Sequence, residues 1–68
     1  MENIAVAKSN IKKARIELGY SQLELAKMLQ VSQQVISAYE QGTRMPSLQI
    51  AVKLSEILKK DFNDLFLN

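Results

Sequence analysis

Residues 21–47 read SQLELAKMLQVSQQVISAYEQGTRMPS, and this stretch decides the fold. Ser21 opens a capping box, because its hydroxyl and the carboxylate of Glu24 can each accept a hydrogen bond from an otherwise unpaired backbone N–H. The helix that follows is expected to run to about Leu29, and Ser32 is placed to cap another helix after a short turn. The sequence therefore predicts two consecutive helices separated by only a few residues.

Three further helices are predicted around this stretch. Before it, apolar spacing predicts helix one over about residues 6–18, followed by Gly19 as a left-handed cap. After it, Pro46 and Ser47 open a fourth helix, and Asp61 is expected to cap a short fifth. The expected inward residues are Ile11, Ala14, Arg15 and Leu18 in helix one, Leu25, Ala26 and Leu29 in helix two, Leu48, Ala51, Leu54 and Leu58 in helix four, and Phe62, Leu65 and Phe66 in helix five. Strand signals are almost absent, so the predicted class is all-α.

Length and composition favour a small globular domain without catalytic chemistry. The chain has 68 residues, 47% of them apolar and 24% charged, which suits one domain over residues 1–68 with a flexible N-terminal end. Since cysteine and histidine are both absent, disulfides, thiolate metal sites and the commonest general base are excluded. We expect no enzyme, no cofactor and no bound metal ion.

Neither a membrane span nor a signal peptide is predicted. The chain has no run of 18 apolar residues, and the N-terminal MENIAVAKSN lacks the basic start and apolar core of a signal peptide. These features predict a cytoplasmic protein that starts at its own Met1 and has no membrane partner.

Charge is distributed unevenly along the chain. Nine basic and seven acidic side chains give a net charge of +2. The N-terminal end is basic, since four cations face Glu2 alone: Lys8, Lys12, Lys13 and Arg15. This asymmetry favours an anionic partner, with a solvated helix face as the common alternative for so short a cluster.

Residues 33–40 place an uncharged polar face opposite an apolar stripe. At about 100° per residue, Val35, Ile36 and Tyr39 fall on one side of the helix. The opposite side carries no charge, although Lys and Glu would hydrate better there. Amides and hydroxyls suit the edges of DNA bases, while an ordinary Gln-rich surface is the alternative. The side chains of this polar face are Gln33, Gln34, Ser37 and Ala38.

Taken together, residues 21–47 resemble the helix-turn-helix of the Cro and phage-repressor family, also called the XRE family. With Arg15 and the terminal FNDLF, the resemblance extends from about Ile11 to Phe66. It implies a compact five-helix bundle of the lambda-repressor type, with the helix-turn-helix at about 21–41 and helix three in the major groove of double-stranded DNA. The shared positions are Gln22, Leu25, Ala26, Leu29, Val31, Ser32, Ile36, Ser37, Glu40, Gly42, Pro46 and Ser47.

The resemblance also implies roles for individual side chains. Gln33, Gln34 and Ser37 become the base readers, and Ala38 adds at most an apolar contact with a thymine methyl. Val35 either packs in the core or touches a thymine methyl as well. The implied phosphate contacts are Gln22, Ser32, Thr43, Arg44 and Lys12. A neutral first-turn role for Gln22 and a solvated role for Lys12 and Lys8 are the alternatives.

Arg15 and Glu40 each fall on or beside an apolar stripe. Because a lone charge there would be costly, we expect a bidentate salt bridge between helices one and three. The family pattern pairs the same two positions. Gln30 stands where relatives often carry Gly, so a left-handed backbone at this turn would cost about 1 kcal/mol or more.

The expected function is sequence-specific regulation of transcription, most economically repression by steric exclusion in a bacterium or phage. One helix reads only a few base pairs, so a homodimer on a palindromic operator is expected, with recognition helices about 34 Å apart. Of the C-terminal apolar residues Phe62, Phe66 and Leu67, some are expected to pack on helix one or four, and the rest to leave an apolar patch for a symmetric dimer interface. The alternative is a module that acts mainly through a protein partner, as an antitoxin or bridging cofactor would.

Overall fold

The computed structural model describes the backbone of residues 2–66 and the side chains of residues 10–66. Five helices follow one another, and residues 2–66 contain no strand, so the predicted all-α bundle is confirmed. Helix one starts earlier than the sequence predicted and runs one turn or more before residue 6. The helices are α1 (Glu2–Glu17), α2 (Gln22–Leu29), α3 (Gln33–Gln41), α4 (Leu48–Leu58) and α5 (Phe62–Phe66).

Serine side chains begin three of the helices. The Oγ of Ser21 accepts from the backbone N–H of Glu24 at 3.0 Å, and the backbone N–H of Ser21 donates to Glu24 Oε1 at 2.8 Å. The predicted capping box is therefore confirmed. Ser32 and Ser47 cap α3 and α4 in the same way, each accepting a backbone N–H at 3.3 Å. Local sequence thus fixes where α2, α3 and α4 start.

Left-handed residues end four of the helices, and the predicted cap after α1 is confirmed because Gly19 has φ 78°. Gly42 closes α3 with φ 77°, a conformation that glycine adopts without steric cost. Gln30 closes α2 with φ 61°, so the left-handed backbone expected at this turn is confirmed. Lys59 closes α4 with φ 59° in the same way. At Gln30 and Lys59 a non-glycine side chain occupies a position that glycine would fill with less strain.

The core lies where α1 crosses α3 and α5 and where α2 packs on α3. α4 closes the bundle against α1, α2 and α5. A side-chain hydrogen bond of 2.6 Å from Asn10 to the Asp64 carbonyl also ties α1 to α5. The buried apolar side chains are Ile11, Ala14, Leu25, Ala26, Leu29, Ile36, Tyr39, Ala51, Leu54, Leu58, Leu65 and Phe66.

Three residues predicted to point inward are exposed, and all three stand at helix ends. Leu18 follows the last residue of α1 and is 37% exposed, whereas Leu48 is the first residue of α4 and is 73% exposed. Phe62 begins α5 at 39% exposure, with its ring 4.9 Å from that of Phe66. These three predictions were wrong, because helical period gives the side of a helix that faces the core but not the length over which a neighbour covers it.

Of the C-terminal apolar residues, Phe66 packs against helices one and four, which is one of the two places the sequence predicted for them. Phe66 is only 4% exposed, because it packs in the core with Leu65 between α1 and α4. It cannot contribute to an interface between copies without unfolding α5. Leu67 lies outside the described residues, which leaves Phe62 as the exposed member of the predicted surface.

Candidate nucleic-acid interface

The side of α3 that faces away from the bundle carries the four polar-face residues together. On its inner side, Ile36 and Tyr39 are buried and Val35 is half-buried against the core, which fixes the rotation of the helix. The two amides at the start of α3 are exposed, and the hydroxyl and methyl one turn later are half-buried. We call this surface the outer face of α3, consisting of Gln33, Gln34, Ser37 and Ala38.

A buried ion pair holds the inner side of the same helix to α1. Arg15 Nε donates to Glu40 Oε2 at 2.5 Å, and Arg15 Nη2 donates to Glu40 Oε1 at 3.1 Å. Both residues are less than one-tenth exposed. Arg15 Nη1 donates to the Tyr20 carbonyl at 2.8 Å and thereby also fixes the turn between α1 and α2. The guanidinium thus donates hydrogen bonds to three acceptor atoms inside the bundle. A buried charge needs such partners to offset the loss of its hydration.

Gln22 extends this ion pair toward the solvent. As the first residue of α2, it donates from Nε2 to Glu40 Oε1 at 3.0 Å. Its Oε1 accepts a longer hydrogen bond, 3.4 Å, from Gln33 Nε2 on the outer face of α3. A continuous chain of side-chain hydrogen bonds therefore runs from Arg15 through Glu40 and Gln22 to Gln33. It joins α1, α2 and α3.

The contact between Gln22 and Glu40 was not foreseen from the sequence. A carboxylate offers about four acceptor positions, and a bidentate arginine fills only two, so a further donor was to be expected. The spacing of residues along one helix could not identify that donor, because the partners lie on different helices. Only the packing of α2 on α3 brings Gln22 within reach.

A second polar contact crosses one turn of α3. Gln41 Nε2 donates to Ser37 Oγ at 3.0 Å, so the hydroxyl hydrogen of Ser37 remains free to donate outward. The sequence analysis did not include Gln41 among the site residues. The i, i+4 spacing of Ser37 and Gln41 is the signal that could have identified it.

The predicted phosphate contacts lie in three parts of the chain. Ser32 caps α3 and keeps its hydroxyl hydrogen, whereas Thr43 Oγ1 donates to the Ala38 carbonyl at 3.3 Å at the end of that helix. Arg44 is exposed in the loop after α3. Lys12 is exposed on α1, and the residues around the shallow hollow beside it are Lys13, Ile16 and Glu17, none of which belongs to the outer face.

The described helices show two further properties that bear on the site. None of them combines the length and apolarity needed to cross a membrane. Nor do the described side chains include a group of three or more acidic, histidine or cysteine residues suited to holding a metal ion.

Comparison with known proteins places the chain in a family. Residues 11–65 match the helix-turn-helix family. The chain is 34% identical over 59 residues to the HTH-type transcriptional regulator YgzD of Bacillus subtilis (strain 168), spanning 87% of this chain and 89% of the relative. It is 38% identical over 56 residues to YqaF of the same strain, an HTH-type transcriptional regulator, spanning 82% and 74% of the two chains.

Solved structures share the fold at lower sequence identity. The SOS-response transcriptional repressor LexA from Eubacterium rectale aligns with a TM-score of 0.89 at 23% identity, over 97% of this chain and 70% of that one. The restriction-modification controller protein C.AhdI from Aeromonas hydrophila aligns with a TM-score of 0.85 at 24% identity, over 97% and 100%. The resemblance drawn from the sequence is confirmed, and the chain belongs to the Cro/C1-type (XRE) helix-turn-helix family of DNA-binding transcriptional regulators.

Proposed function

We propose that this protein is a sequence-specific repressor that binds a palindromic operator as a homodimer. The outer face of α3 is the observation that carries the proposal. It presents two exposed amides and a hydroxyl without a single charge, on a helix whose opposite side is locked into the core. Neutral hydrogen-bonding groups held at a fixed rotation are what reading of base edges in the major groove requires.

Phosphate contacts around this face would position the helix on the duplex. The first turns of α2 and α3 present backbone N–H groups, and helix N-termini attract anions. Ser32 retains a hydroxyl hydrogen, and Arg44 supplies an exposed positive charge in the loop after α3. Gln22 has a second amide hydrogen beyond the one given to Glu40. Lys12 and Thr43 are secondary candidates.

Dimerisation would double the number of base pairs that are read. The exposed apolar groups that could form the interface include Phe62 on α5 and Leu48 with Val52, which lie one turn apart on α4. Lys53 and Glu56 flank the α4 pair with opposite charges, so two copies related by a two-fold axis can present complementary charges to each other. Bound in this form, the protein would repress by covering DNA that polymerase needs, with no catalytic step.

Selection from a pool of random-sequence duplexes tests this function. We expect the native protein to enrich a palindromic site, and to lose affinity as salt rises because phosphate contacts release counterions. The Gln33→Ala/Gln34→Ala variant should lose base preference yet keep non-specific binding. Glu17→Gln, which changes an exposed side chain of α1 outside both the outer face of α3 and the proposed dimer surface, serves as the control and should select the same site as the native protein.

Two outcomes would contradict the proposal. If no sequence is enriched at physiological salt, the protein-partner alternative takes its place, and capture of partners becomes the next experiment. If a single unrepeated half-site is enriched and the complex contains one copy of the chain, specific DNA binding stands but the dimer does not. The mass of the complex on a selected duplex, measured by sedimentation, separates these cases.

A further inference from the structure

We infer that Gln41 contributes to specificity by fixing the hydroxyl of Ser37 as a hydrogen-bond donor, so that Ser37 discriminates against cytosine. The inference rests on the proposed function, in which Ser37 meets a base edge. Gln41 itself need not touch a base. It is a positioning residue at the end of α3, one turn beyond the side chain that it orients.

The contact between the two side chains follows from the geometry of the helix. Residues four apart lie one above the other, and long side chains on a helix point back toward its N-terminus. The side chain of Gln41 therefore reaches over the turn that carries Ser37, and its Nε2 donates to Ser37 Oγ at 3.0 Å. Ser37 is half-buried and Gln41 is exposed, so this hydrogen bond lies where α3 meets the solvent.

The hydroxyl hydrogen of Ser37 is bonded to no described residue. A serine within a helix commonly donates to the backbone carbonyl four residues earlier, but Ser37 and Gln33, both described, make no such hydrogen bond. Because the amide of Gln41 occupies one lone pair of Oγ, the hydrogen is left to face outward. Accepting a hydrogen bond also polarises the O–H group and makes it a stronger donor. Ser37 therefore presents a donor to the groove.

A donor at this place distinguishes cytosine from the other three bases. In the major groove guanine offers N7 and O6, adenine offers N7 and thymine offers O4, and all of these atoms accept hydrogen bonds. Cytosine offers only its N4 amino group, which donates. A hydroxyl hydrogen directed at cytosine would meet another hydrogen, and both donors would remain unpaired. Cytosine is therefore the base that Ser37 disfavours.

The test measures dissociation constants on the selected operator with each of the four bases at one position. That position is the one whose preference collapses in Ser37→Ala. The native protein should bind the operator with cytosine there about fivefold more weakly than the best of the other three, which is the effect of losing one hydrogen bond.

Gln41→Glu is the decisive variant, because it keeps the length of the side chain and removes both of its amide hydrogens. The new carboxylate can only accept, so it should take the hydrogen of Ser37 and leave the lone pairs of Oγ facing the groove. The preference should then invert, with cytosine bound about twofold or more tightly than guanine or thymine, whose edges only accept. The added negative charge should weaken binding to all four operators alike, because it repels phosphates rather than a particular base.

Controls separate orientation from other effects. In the Ser37→Ala background, Gln41→Glu should leave the base preference unchanged, since no hydroxyl remains to be oriented. Gln41→Met removes the amide without adding a charge, and should reduce the discrimination against cytosine from about fivefold to about twofold. Thermal melting verifies that each variant is folded, and Gln41→Met carries the test if Gln41→Glu does not fold.

The outcomes distinguish this inference from the proposed function. If Gln41→Glu weakens binding equally for all four bases, Gln41 acts through its charge alone, and the inference is overturned while sequence-specific binding stands. A native protein that prefers cytosine, or a Ser37→Ala variant with an unchanged preference at every position, would also overturn it. Failure of the proposed function would appear earlier, as the absence of any enriched operator for the native protein.

Discussion

The two sides of α3 differ in burial and polarity, although they belong to the same short helix. The inner side buries Ile36, Tyr39 and the carboxylate of Glu40, whose two oxygens accept hydrogen bonds from α1 and α2. The outer side exposes Gln33 and Gln34, whose amides have hydrogen-bonding capacity left over. The inner side is therefore expected to determine stability, and the outer side to determine which DNA sequence is bound.

Gln22 is the exception that connects the two sides. It belongs to neither side of α3, yet it bonds to Glu40 inside and to Gln33 outside. A substitution at Gln22 is thus expected to combine a small effect on stability with an effect on base preference. Substitutions on the inner or the outer side alone should affect one property only.

The largest expected effect is that of Arg15→Ala. Removing the guanidinium leaves Glu40 as an uncompensated buried charge, which should lower the free energy of unfolding by about 3 to 5 kcal/mol. Lys60→Ala is the control, because the pair of Lys60 with Glu17 is 3.6 Å long and half-exposed, and its loss should cost less than about 1 kcal/mol. Urea unfolding measures both. An Arg15→Ala variant with native stability and altered base preference would contradict the separation of the two sides.

A cavity in the core should have a nearly equal effect. Leu54→Ala removes a fully buried side chain of α4 and should cost about 2 to 5 kcal/mol, depending on how far the core relaxes. Leu48→Ala on the same helix removes a side chain that is 73% exposed in the single chain, so at concentrations where the protein is monomeric it should change stability by less than about 0.5 kcal/mol. Equal losses in the two variants, measured by denaturant unfolding, would mean that the first turn of α4 is covered in solution, as by a second copy.

A moderate gain is expected at the turn between α2 and α3. Gln30→Gly should raise the free energy of unfolding by about 0.5 to 1 kcal/mol, because glycine adopts a φ of 61° without steric cost. Lys27→Gly, within α2, should instead cost about 1 kcal/mol. Thermal melting of the two variants tests whether Gln30 has a left-handed backbone. A Gln30→Gly variant that is no more stable than the native protein would contradict it.

The smallest expected effect on stability belongs to the outer face of α3. Gln34→Ala should change the free energy of unfolding by no more than about 0.5 kcal/mol, since the amide is exposed and lacks a partner among the described side chains. Base preference at one position of the operator should nevertheless fall. A loss of more than 1 kcal/mol in the same unfolding assay would show that the outer face contributes to folding.

Local signals predicted most of the helix limits. The serines at 21, 32 and 47 and the glycine at 42 act on backbone groups within a few residues of themselves, so they could be interpreted without knowing the fold. The apolar spacing also identified most of the core. It failed at Leu18, Leu48 and Phe62, where a helix extends beyond the neighbour that covers the rest of its length.

By itself, the sequence determined the helices, the family resemblance and the rotation of α3 that turns an uncharged face outward. These follow from periodicity and capping, which depend on residues a few positions apart. Tertiary structure alone decided that Phe66 enters the core and that Gln22 joins Glu40 to Gln33. Those contacts depend on how far one helix is displaced along another, a quantity set by the packing of all the side chains between them rather than by any local pattern.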